Sequence, residues 1–97
     1  MDRFRELPRA RVLGFTVPVA TTLRARLLGL ALLDPEEAGE GLLLPRCRGV
    51  HTFGMRFALD LVFLDRGGRV VGLRRGLPPS RFARCPGAEA VLELPSP

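Results

Sequence analysis

Residues 47–65, CRGVHTFGMRFALDLVFLD, decide the fold. From Phe57 to Leu64 the side chains alternate, with Phe57, Leu59, Leu61 and Phe63 on one face and Ala58, Asp60, Val62 and Leu64 on the other. A strand that is apolar on both faces is covered on both, so this one belongs at the centre of a sheet rather than at its edge. One carboxylate, Asp60, interrupts the second face, and an acid so placed needs a partner or a shifted pKa. Asp65-Arg66-Gly67-Gly68-Arg69 then supplies a tight turn with glycine free to take positive φ. RVVGLRR, residues 69–75, returns as the antiparallel partner.

Working upstream, Leu42, Leu43 and Leu44 form a short apolar strand, released by Gly39 and Gly41 and closed by Pro45. Asp34-Pro35-Glu36-Glu37 reads as a cap, a proline at the first helical position and one acidic turn. Thr21 or Thr22 caps a short helix over residues 22–30, with Gly29 as its stop. Leu23, Leu27 and Leu30 share a face of that helix and are expected to lie across the sheet. Residues 11–19 alternate as one strand, Leu13, Phe15, Val17 and Val19 on one side, with Pro18 marking an edge or a strand end. Residues 1–10, with Arg3, Arg5, Pro8 and Arg9, read as a basic, mobile lead-in. Downstream, Gly76, Pro78, Pro79 and Pro86 punctuate a loop over 76–87 that holds Cys85 and Phe82, the latter expected to anchor onto the body. The last strand, AEAVLELP, turns Ala88, Ala90, Leu92 and Leu94 inward and Glu89 and Glu93 outward. The sum is a single β-rich domain over 11–97: mainly β (β-rich α+β), a small antiparallel β-sandwich or partly open barrel with one short helix packed on it.

Composition bounds the function. Ninety-seven residues make one core, and a chain of this size buries roughly 60–70% of its unfolded surface without staples. No run of about 18 apolar residues free of charge exists, so no membrane span is expected. The N-terminus carries charge where a signal peptide needs its apolar segment, which makes the cytoplasm the expected compartment. All the basic charge is arginine, fifteen residues with no Lys, and Ile, Asn, Gln, Tyr and Trp are absent as well. That pattern fits a GC-rich coding bias and, more weakly, a hot habitat. A net charge of +5 attracts nucleic acid or acidic partners in principle. The arginines are spread along the chain, however, and several of the six Phe sit at core-like positions, so no stacking platform is evident. A solvated surface is the expectation, with nucleic acid unlikely.

The GLLLPRCRGVHTFGMRF segment, the LDLVFLDRGGRVV hairpin and the closing AVLELP resemble the domain-of-unknown-function 192 family. The N-terminal strand followed by the R-x-x-x-L-L-G-L helix, Arg24 to Leu30, fits as well, so the resemblance covers about residues 12–95. Phe53, Gly54, Met55, Asp60, Phe63, Asp65, Gly68, Leu92 and Glu93 match the family's characteristic positions, whereas Cys47 and His51 match only a subset. The resemblance implies a compact β-sandwich-like domain with one helix and implies no reaction. Other members continue past the LELP motif into a Gly-containing turn and another strand, whereas this chain stops at Pro97. The expectation is a sheet lacking that final strand, with an exposed edge.

Four residues are candidates for chemistry. Asp60 is a general base, an anion orienting His51, a metal ligand, or a structural carboxylate accepting backbone N–H groups or pairing with an arginine; the structural role is favoured. His51 is the only histidine, so any proton shuttle near neutrality uses it, unless its ring simply packs on Phe53 or Met55. Cys47 lies between Arg46 and Arg48, and Cys85 follows Arg84, neighbours that favour thiolate if the sites are exposed. The two thiols are unrelated, or a disulfide, or with His51 part of a metal site, or one is a nucleophile with His51. Zinc would still lack a ligand unless Asp60 or water completed the set, so no metal and no cofactor is expected. The leading expectation is a binding module, monomer or weak homodimer, whose residues 47–60 line a shallow pocket or partner surface for a small ligand or a protein. Arg46, Arg48, Thr52, Phe53 and Met55 are its candidate lining. A small enzyme using His51 with Asp60, and Cys47, is the runner-up; a basic binder of nucleic acid or an acidic partner comes third. The enzyme needs His51 and Asp60 within hydrogen-bond reach beside a cleft, and the basic binder needs its arginines clustered.

Overall fold

The computed structural model describes residues 3–97. Its centre is a four-stranded antiparallel sheet ordered β3 (Leu42–Pro45), β8 (Ala90–Pro95), β5 (Leu59–Leu64), β6 (Val70–Leu77). β5 is therefore an interior strand, as its two apolar faces demand, and Asp65–Arg69 closes the hairpin to β6. The Asp65 carboxylate fixes that turn by accepting the backbone N–H groups of Gly67 and Arg69, each at 2.9 Å.

Both faces of the sheet are covered over β3, β8 and β5, whereas the edge strand β6 is largely exposed. Leu59, Leu61 and Phe63 of β5, with Leu42, Leu44 and Val91, face the larger core, which the short helix α1 (Leu23–Leu28) and a two-stranded ribbon close over. That ribbon is β4 (Gly49–His51) paired with β7 (Phe82–Arg84). Val62, Leu64 and Leu92 face a smaller cluster with Val17, contributed by a hairpin of β1 (Arg9–Val12) and β2 (Phe15–Pro18). The described residues are mainly β, with one short α-helix and no closed barrel among them.

Several expectations need correction. Residues 11–19 are not one strand: the chain reverses at Leu13 and Gly14, which take φ of +52° and +86°, and Leu13 is exposed. Alternation alone does not distinguish one long strand from a tight hairpin, because both arms keep the period of two. Of the basic lead-in, residues 1 and 2 lie outside the described residues, Phe4 is buried in the larger core, and Arg9 already begins β1. The loop over 76–87 contains β7, and Phe82 is 62% exposed rather than an anchor. The helix does begin at Thr22, whose hydroxyl accepts the Ala25 N–H, and stops at Gly29. Its leucine stripe does not pack, however: Leu23 and Leu27 are 73% and 63% exposed, and Ala25 is the helix residue that is buried. Leu30 is buried only after the helix has ended, because Gly29 turns the chain inward.

Candidate functional site

Glu93 was expected to point outward and does the opposite. It stands mid-strand in β8, opposite Leu42 of β3 and Leu61 of β5, both fully buried. Cross-strand partners share a face, so its side chain enters the larger core with 4% of its surface exposed. Its Oε1 atom is buried and without a hydrogen-bond partner, and none of the ion pairs among the described residues involves it. Burial raises its pKa from the ordinary 4.5 to about 7, partly offset by the Leu30 backbone N–H. Two glycines make this position possible. A Cβ on Gly29 would come within 3.0 Å of Oε1, and one on Gly41 within 2.3 Å of the Glu93 carbonyl oxygen.

Glu93 forms the floor of a partly enclosed cavity of about 70 Å³, walled by Leu27, Leu30, Cys47, His51 and Met55. The Cys47 thiol donates to the Gly49 carbonyl at 3.1 Å. His51 Nδ1 accepts the Phe53 N–H at 3.3 Å, and the two rings stack with centroids 5.3 Å apart. Met55 is a buried wall. Arg26 also borders the cavity, with its guanidinium committed to the carbonyls of Pro45 and Arg46. The arrangement has room for a few waters or one small chemical group. Its floor is a carboxyl able to accept or release a proton near neutrality.

The other candidates fall elsewhere. Asp60 pairs with Leu94, not Glu93, and so lies on the opposite face of the sheet from the cavity that His51 borders. There its Oδ1 accepts the Gly76 N–H at 2.8 Å. The donor exists because β6 bulges: between the Leu59–Leu77 and Leu61–Arg74 pairs, Arg75 and Gly76 face the single residue Asp60. The His51–Asp60 dyad of the enzyme reading is thus not assembled. Thr52 is fully buried and ties the ribbon to its approach, its hydroxyl donating to the Pro78 carbonyl at 2.7 Å and accepting the Arg81 N–H at 2.8 Å. Phe53 is 57% exposed, and Arg46 and Arg48 are exposed beside a separate shallow hollow. Cys85 donates its backbone N–H to the Arg48 carbonyl at 2.8 Å, which brings the two cysteine segments side by side. Both thiols are free, and Cys85 points to the Val71 carbonyl at 3.9 Å. No group of three or more His, Cys, Asp or Glu among the described residues is placed to hold a metal ion. No helix among them is long and apolar enough to cross a membrane.

Glu93 was missed because AEAVLELP was read with one covered face. Val91, of the same parity as Glu93, was the available signal that the second face is covered too. A family model, DUF192, described as an uncharacterized ACR, matches residues 6–96. A crystal structure of a protein of unknown function from Novosphingobium aromaticivorans superposes with a TM-score of 0.66 at 19% identity, over 94% of this chain and 83% of that one. No curated protein matches the chain.

Proposed function

The chain belongs to the DUF192 family, and from that premise, which supplies a fold and no reaction, we propose that it is a small binding module built around the Glu93 cavity. The observation that carries this reading is Glu93 Oε1, buried without a partner at the cavity floor. A polar atom left so costs stability, and native proteins keep few of them without a use. The group it suits is a compact hydrogen-bond donor, an ammonium or the end of a guanidinium or amide, entering between Leu27 and His51. The lining overlaps the expected segment 47–60 through Cys47, His51 and Met55, while its floor comes from β8. The cytoplasm is the compartment proposed with this reading, since a reducing environment suits two free thiols.

Titration with methylammonium and guanidinium chlorides, followed through the Met55 methyl resonance, tests the proposal. At least one cation should give a saturable shift that strengthens as pH rises through 7, where Glu93 ionises, and Glu93→Gln should abolish it. Shifts that are linear in concentration, or that survive in Glu93→Gln, overturn the reading.

A further inference from the structure

The fold gathers charge that lies in separate segments of the sequence. Residues 41–59 and 66–88 hold nine of the fifteen arginines and none of the ten acids, while the rest of the chain has six arginines against all ten acids. β4 lies in the first of these segments, β6 and β7 in the second, and β4 pairs with β7. The charge-segregated parts of the chain therefore meet in one ribbon and the strand that leads into it. Arg48, Arg74, Arg75, Arg81 and Arg84 are exposed there, and none is within ion-pair distance of a described carboxylate.

The same ribbon carries aromatic rings on its outer face. In the pairs Gly49–Arg84, Val50–Ala83 and His51–Phe82, the middle pair is buried, so Gly49, His51, Phe82 and Arg84 point outward together. Phe82 lies over Gly49, where a Cβ would come within 3.2 Å of its ring, so glycine leaves the ring room to lie against the strand. Phe53 stacks on His51 beside it. Exposed Phe side chains cost solvation, and three exposed rings near one another, beside guanidinium groups without a carboxylate partner among the described residues, form a surface that neither core packing nor solubility requires.

We propose that the outer face of the β4–β7 ribbon binds single-stranded nucleic acid, with Phe53, His51 and Phe82 as the platform on which bases stack and Arg48, Arg81 and Arg84 as the phosphate contacts. Base stacking on aromatic rings tolerates any sequence, and arginines along the path neutralise the backbone. An acidic peptide would use the arginines and gain little from the rings. A duplex hides its base faces and would gain nothing from them. The inference goes beyond the pocket reading and does not depend on it, since Glu93→Gln tests one and Phe82→Ala the other.

Fluorescence anisotropy with labelled mixed-sequence DNA and RNA strands of about 12 nucleotides, within the span such modules cover, provides the test. Binding should weaken steeply as salt rises from about 50 to about 200 mM, as counterion release requires. Phe82→Ala should weaken it roughly tenfold, the scale of one lost stack. Phe15→Ala, an exposed ring on β2 away from the ribbon, should leave it unchanged, with circular dichroism confirming that both variants fold. Absence of binding at the lower salt overturns the proposal. So does equal affinity for the duplex, indifference to Phe82→Ala, or displacement by polyglutamate as effectively as by unlabelled strand, the last pointing to an acidic protein partner instead.

Discussion

Asp60 and Glu93 sit on neighbouring strands one register step apart, and they face opposite sides of the same sheet. Asp60 has an ordinary hydrogen-bonded life, because its strand borders β6, whose bulge leaves the Gly76 N–H free to meet it. Glu93 is flanked by β3 and β5, whose ladders already use the backbone donors around it, and only the Leu30 turn brings it an N–H. The fate of an acid in an apolar strand is thus set by spare donors in the adjacent backbone. An edge strand with a bulge has one to give, and the middle of a regular ladder has none.

The largest expected effect breaks the comparison on the Glu93 side. An unfolded Glu93 ionises above about 4.5, whereas the folded one holds its proton to about 7. Between those values the folded state binds more protons, so stability falls as pH rises and levels off above about 7. The raised pKa corresponds to on the order of 3 kcal/mol lost across that window. Urea unfolding of wild type and Glu93→Gln at a series of pH values isolates this contribution, and the difference between the two curves should carry the whole slope. A difference that stays constant with pH would mean that Glu93 is not the buried acid described.

Asp60 provides the sharper half of the comparison. Removing its carboxylate strands the Gly76 N–H at the bulge, so Asp60→Ala should lower stability by about 1–2 kcal/mol, the lower part of the range for a donor left without its partner. The cavity on the other face should be untouched, with the Met55 resonance unmoved. A loss below about 0.5 kcal/mol, typical of a surface site, would show that the bulge does not need its carboxylate.

How far the sequence could be read follows from the same contrast. β5, β3 and β8 were legible because burial enforces their apolar periods, whereas β6, largely exposed, was legible through the Asp65–Arg69 turn that leads into it. The helix limits were legible in Thr22 and Gly29, since capping chemistry is local. The β1–β2 reversal was hidden because Leu13 adopts a positive φ that leucine rarely takes, so nothing in the residue type announces the turn. The β4–β7 ribbon was hidden because three-residue strands in a proline- and glycine-rich stretch give too short a period to detect, and their pairing is long-range. Of the candidate residues, Cys47, His51 and Met55 border one cavity, whereas Asp60, the conspicuous acid, lies on the other sheet face, and Glu93 has the spacing of an ordinary outward glutamate.

The smallest expected effect concerns what covers the Glu93 face. If the helix shielded it with its leucine stripe, deleting one of those side chains would cost about 2 kcal/mol or more, as for any buried leucine. Leu23 and Leu27 instead remain mostly in water, and the cover over Glu93 comes from the Gly29–Leu30 turn that follows the helix. Leu23→Gln should therefore change stability by less than about 0.5 kcal/mol. Leu27→Gln should do the same for stability while altering cation binding at the cavity it rims. Gln also keeps a helix propensity close to that of Leu, so the six-residue helix itself is not the variable. A substantial loss in either variant would return the helix to the role its leucine spacing suggested and would make it, rather than the turn, the roof over the buried acid.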